Sequence, residues 1–199
     1  MGRKATERKR KSPGPSARSW LMGLFSHWQQ HGLANQTMDD WAVAVGKSKA
    51  TLYAYFSAKE EMVEAALALK LQQLQAFEGP LMDKSLTYHD RYRMGLEVIS
   101  PHLGEISVRF LADLKEEFPE QRLLVDQFLG YAGQVLAGFY QEGMDAGAFR
   151  ATNIAMLVQM DQLFFQQLTD PEFLNQAQLH LKNALEHYIE LKFGGLLVR

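Results

Sequence analysis

Seven residues in a nine-residue stretch carry the chemistry of this chain: Lys47, Ser48, Lys49, Ala50, Thr51, Tyr53 and Tyr55. At helical spacing they point away from Leu52 and Phe56. They supply two ammonium groups and four hydroxyls, with small Ala50 between them and no carboxylate of their own. Such a set donates to anionic oxygens, and the free N–H groups of a helix N-terminus do the same. Lys59 stands in the first turn of the next helix, where a cation opposes the helix dipole. It is therefore expected to have another partner, such as phosphate.

Elsewhere the chemistry is thin. There is no Gly-rich phosphate loop, no GxSxG and no HExxH. His27 and His31 share a face at i, i+4, but no acidic residue lies near them in sequence. His180 and His187, with Glu186 and Glu190, form a similar group, and both read as surface polar residues. The absence of cysteine excludes disulfides, thiolate chemistry and cysteine-based zinc sites. No enzyme, cofactor or metal is expected. Asp161 is the one acid on an apolar helical stripe, with Ile154, Leu157, Val158, Phe165 and Leu168. If buried it needs a partner, either across an interface or in a ligand; otherwise it lies exposed.

The elements that must position these groups read as helices. Trp20, Leu21, Leu24, Phe25 and Trp28 form a helical stripe that stops at Gly32. Thr37 caps a helix over Met38–Val45, with Asp39 and Asp40 in its first turn, and Gly46 ends it. Ser48 caps a helix over Lys49–Phe56. Ser57 and Glu60 read as a capping box for a helix running to about Phe77. Helix, tight glycine turn, helix is the geometry of a helix-turn-helix, whose second helix enters the major groove of DNA. Five further helices are expected over about 87–99, 102–117, 119–142, 153–168 and 171–193, with Pro101, Pro119 and Pro171 in first turns. The fold class is all-α, with about nine helices.

Charge divides the same way. Residues 1–60 hold ten Lys/Arg against four Asp/Glu, a net of +6, whereas residues 61–199 hold eleven against nineteen, a net of −8. A basic head on an acidic body implies that the head alone meets a polyanion. Residues 1–16 read as a disordered basic arm, residues 17–62 as the helix-turn-helix domain, and residues 63–199 as a helical effector-binding and dimerisation domain. No apolar run is long enough to span a bilayer, and a cytoplasmic location fits.

The segment Gly32–Glu60 resembles the tetracycline-repressor (TetR) family. The resemblance rests on Gly32, Thr37–Asp40, Ala42, Gly46, Ser48-Lys49, Thr51-Leu52-Tyr53, Tyr55-Phe56 and Lys59-Glu60, and it is specific over residues 17–62. It implies that Thr37, Ser48, Tyr53, Tyr55 and Lys59 contact phosphate. Lys47, Lys49, Ala50 and Thr51 would lie nearest the base edges. Lys47 replaces a usual apolar turn residue, and Ala50 a frequent glycine. The resemblance further implies a repressor that dimerises through its last two helices, reads a near-palindromic operator in duplex DNA and answers to a small-molecule effector. In the last helix Phe173, Leu174, Ala177, Leu181, Ala184, Leu185, Tyr188 and Leu191 would build that interface, or else an internal core. Met94, Phe110, Phe128, Tyr131, Met160, Asp161 and Phe164 are the candidate pocket residues. The competing readings are an effector-binding or adaptor protein with a vestigial head, and an all-helical enzyme.

Overall fold

The structure is a computed structural model that describes residues 12–168 and 171–197. Its helices are α1 (Pro15–His31), α2 (Met38–Ala44), α3 (Lys49–Tyr53), α4 (Lys59–Gln75), α5 (Glu78–Met82), α6 (Tyr88–Leu103), α7 (Val108–Glu117), α8 (Pro119–Asp145), α9 (Ile154–Leu168), α10 (Pro171–Gln176) and α11 (Leu181–Leu196). The all-α class is as expected. Two helices exceed the expected nine: short α5, and α10, which the chain separates from α11.

Local chemistry accounts for most of the boundaries. Pro15 opens α1 in a first-turn position, so the chain is already helical where the basic arm was expected to end. The rest of that arm, up to Lys11, lies outside the described residues. Thr37, Ser48, Thr87 and Ser107 each cap a helix by accepting a backbone N–H from three residues on. The capping box expected of Ser57 and Glu60 is displaced by one residue: Ser57 donates its N–H and hydroxyl to Glu61, and Ala58 takes the cap position of α4.

Two larger departures have physical reasons. Pro101 lies inside the last turn of α6 instead of opening a helix. A proline there withholds an N–H from the Glu97 carbonyl, and the Ser100 hydroxyl, 3.2 Å away, donates to that carbonyl instead. The helix expected over 171–193 breaks at Gln178, which takes φ +53° without any glycine or proline to announce it.

Two buried clusters organise the packing. The first joins α1, α2, α3 and the start of α4 around Leu21, Leu24, Phe25, Trp28, Trp41 and Leu52, and it also takes in Phe110, Leu114 and Phe118 from α7 and its end. The second joins α4, α5, α6, α8, α9 and α11 around Leu74, Tyr92, Leu136, Tyr140, Phe149 and Phe193. Helix α4 runs through both. Burial of each such large side chain stabilises the fold by about 1.5–3 kcal/mol. The end of α11 is pinned to the α8–α9 connection, where Arg150 N–H donates to the Leu196 carbonyl at 2.9 Å.

Candidate nucleic-acid interface and body cavity

The turn between α2 and α3 determines how α3 is presented. Gly46 adopts φ +61°, a left-handed conformation that glycine takes without steric penalty. Its N–H donates to the Val43 carbonyl at 3.1 Å, and the Lys47 N–H donates to Ala42 at 2.9 Å. These two bonds make a Schellman closure. Trp41, Ala42 and Leu52 are buried below the turn, and Val45 is partly buried. Lys47 departs from the usual apolar turn residue at the side chain only, which is exposed; its backbone still closes the turn.

Above that base, Lys47, Ser48, Lys49 and Ala50 are exposed, Thr51 is half-buried and Tyr53 is 45% exposed. The Ser48 and Thr51 hydroxyls lie 2.8 Å apart. Thr37 is exposed at the N-terminus of α2, where its side chain and backbone hydrogen bonds hold the Asp40 carboxyl below its ordinary value.

Lys49, Tyr55 and Lys59 also have partners inside the head. Lys49 Nζ donates to Asp39 at 2.8 Å, and that bond raises its pKa. The α3 surface carries no acid of its own, but α2 brings one to it. Tyr55 is half-buried, its ring edge-on to Trp20 at 6.0 Å. Lys59 donates to the Gln36 carbonyl and lies over the Trp41 ring at 5.2 Å. The cation at the start of α4 is thus satisfied by the α1–α2 connection, with no phosphate needed to explain it.

In the body, a cavity of about 800 Å³ lies among α4, α6, α7, α8 and α9. Of the candidate pocket residues, Phe110 and Phe128 border it and Met94, Tyr131, Met160, Asp161 and Phe164 do not. Tyr131 donates to Glu78. Phe164 stacks on Tyr188 at 3.9 Å. Met160 faces outward. Lys70 of α4 also borders the cavity and was missed because that place follows from how α4 crosses the body, which helical periodicity alone does not reveal.

Asp161 is fully buried and collects four donors. Tyr92 and Tyr188 donate at 2.6 and 2.5 Å, and Tyr140 and Lys192 complete the set. Its partners are therefore internal, contributed by α6, α8 and α11. Burial pushes all three phenols up and pulls Lys192 down, with Asp161 countering the latter. Ala184 and Leu185 of α11 are buried and Tyr188 is half-buried, so this part of the expected interface stripe is turned inward, while Leu191 remains exposed. The open apolar stripe is on α9, where Met156, Met160 and Leu163 are 61%, 48% and 54% exposed.

Among the described residues, no group of three or more His, Asp or Glu is placed to hold a metal, and no helix is long and apolar enough to cross a membrane.

Residues 25–66 match the family described as bacterial regulatory proteins, tetR family. The chain is 26% identical over 161 residues to the HTH-type transcriptional regulator YvaF of Bacillus subtilis, a match covering 80% of this chain and 85% of that one. Its fold is similar to that of the TetR family transcriptional regulator PfmR from Thermus thermophilus, with a TM-score of 0.69, 21% identity, and 90% and 99% of the two chains covered. It is also similar to a transcriptional regulator from Saccharomonospora viridis solved in complex with choline, with a TM-score of 0.74, 16% identity, and 94% and 100% covered. The head thus matches the tetR family of bacterial regulatory proteins over residues 25–66, and the fold along most of the chain is similar to that of regulators of this kind.

Proposed function

We propose that the chain is a homodimeric, sequence-specific DNA-binding regulator, a repressor that leaves its operator when a small molecule fills the body cavity. The observation that carries this reading is the outward face from Lys47 to Tyr53, where the two ammonium groups stand together with the side chains of Ser48, Thr51 and Tyr53 at the surface. In this reading Lys47, Lys49, Ala50 and Thr51 approach base edges, and Thr37, Ser48 and Tyr53 reach phosphate. Tyr55 and Lys59 contribute chiefly by holding the head together, since both are engaged within it.

The α9 stripe of Met156, Met160 and Leu163, with Leu191 of α11, is the seam on which two protomers would pair. Two-fold symmetry would then set two heads on half-sites about 34–36 Å apart, which requires a near-palindromic operator. An effector that favours a different head spacing would weaken binding by a coupling of about 1–3 kcal/mol. The choline complex of the similar Saccharomonospora viridis regulator supports the idea that this fold accommodates a small molecule.

A mobility-shift titration on DNA from upstream of the chain's own gene, across a salt series, tests the reading. A sequence-selective shift at moderate salt is expected. Equal affinity for random duplex, or none, would overturn it.

A further inference from the structure

The body cavity is within the usual range for small-molecule sites, about 300–1,000 Å³, and most of its wall is apolar. Charged side chains reach it at Lys70, Lys115, Arg122 and Asp126. Arg122 and Asp126 offset one another as an i, i+4 pair at 2.9 Å. Of the other two cations, Lys115 is exposed and Lys70 is buried, and no carboxylate besides Asp126 lines the wall among the described residues.

Lys70 is the informative one. Its side chain is 1% exposed, yet its counter-ion Glu105 is 54% exposed and stands outside the wall. Glu105 contacts that ammonium directly but keeps a solvent-exposed side, so it can return to water when another anion takes its place on Lys70. The Phe25 ring, 5.5 Å from Nζ, adds a weak attraction.

We propose that this cavity takes a long-chain organic monoanion. Its apolar chain lies along Leu71, Leu74, Leu96 and Leu136, and its carboxylate meets Lys70 in competition with Glu105. One buried ammonium balances one charge, which favours a singly charged head over a phosphomonoester. A quaternary ammonium head would meet Lys70 and Lys115 as like charges. The inference rests on the reading of the cavity as the effector site and names the class of molecule that fills it.

Titration calorimetry on the full chain tests it with four probes of one chain length, each below micelle formation: dodecanoate, dodecanol, dodecyl phosphate and dodecyltrimethylammonium. Dodecanoate should bind at least about tenfold more tightly than dodecanol, as one charge-assisted hydrogen bond implies. Lys70→Met should erase that preference, and Glu105→Gln, a change at an exposed residue, should enlarge it. Dodecanol, dodecyl phosphate or dodecyltrimethylammonium binding as tightly as dodecanoate would overturn the proposal. So would undiminished dodecanoate affinity in a Lys70→Met protein that melts like wild type. If Lys70→Met does not fold, Glu105→Gln decides, and an unchanged or weaker dodecanoate affinity overturns the proposal. Operator release is measured separately. Lys70-dependent binding without release defeats the effector reading alone, whereas release by another small molecule with no dodecanoate binding defeats this proposal alone.

Discussion

The Asp113 carboxylate lies 2.7 Å from the backbone N–H of Leu33, and the same oxygen is 3.2 Å from that of Ala34. One side chain on α7 thus satisfies two donors in the segment leaving α1, directly in front of the helix-turn-helix. Ser107, which caps α7, adds a second tie by donating its N–H to the Gln29 side chain at 2.8 Å. The body therefore grips the head through hydrogen bonds as well as through apolar packing.

Asp113→Ala should lower stability by about 1–3 kcal/mol, because two part-buried N–H groups lose their acceptor. Urea unfolding measures the loss, and amide exchange should show Leu33 and Ala34 opening earlier than their neighbours. Unchanged exchange at both would mean that the carboxylate does not hold this segment.

Asp39→Ala should free Lys49 and remove a negative charge from the α3 surface. We expect tighter DNA binding and a steeper loss of affinity with salt, by up to about one unit of slope. Lys49→Ala should relax preference at one base pair per half-site. An unchanged preference would place Lys49 on phosphate.

Asp161→Ala should leave three phenols and the Lys192 ammonium without their acceptor. Removing one partner of a buried ion pair costs about 3–5 kcal/mol. Adding Lys192→Met should recover part of that loss, since the stranded charge goes with it. Denaturant titration of the two variants against wild type reads both effects.

Alkaline pH should weaken the fold through the same cluster. Tyr92, Tyr140 and Tyr188 are all raised, chiefly by burial. The stabilisation tied to such a group is complete below the unfolded tyrosine value of about 10 and declines as pH climbs toward the folded value. Lys192 acts in the opposite sense, because burial lowers it and the fold sheds the cost of its charge as it loses its proton with rising pH. With three groups against one, the melting temperature should fall above about pH 10. Tyr188→Phe should flatten that decline, and an identical slope would remove Tyr188 from the account.

Met160→Glu should disrupt dimerisation without unfolding the chain, since Met160 is exposed in the protomer. Sedimentation should show a monomer with a wild-type helical spectrum. DNA affinity should fall with the loss of the second half-site. A dimer that persists would move the seam away from α9.

The head was legible because its signals are local. Caps at Thr37 and Ser48, the stop at Gly46 and the apolar spacing of Trp41, Ala42 and Leu52 all act within a few residues. What escaped was the set of partners brought by other elements. Asp39 reaches Lys49 across the turn, and Gln36 meets Lys59 from 23 residues away. Asp161 was correctly expected to need a partner, but its donors come from three other helices, so an apolar stripe could not identify them. Of the candidate pocket residues only Phe110 and Phe128 border the cavity, because helical spacing does not distinguish a wall facing a void from one facing another side chain. The break at Gln178 left no mark in composition at all.

The four-way meeting at Asp161 also sorts the helices of the body into two sets. Through it α6, α8, α9 and α11 are riveted into one block, each losing a charged or hydroxyl contact if it slides. Neither α4 nor α7 contributes to that rivet, yet α4 carries Lys70 into the cavity and α7 carries Asp113 to the reading head. If the cavity holds an effector, as proposed above, these two helices touch both the cavity and the head, while the Asp161 block stands behind them.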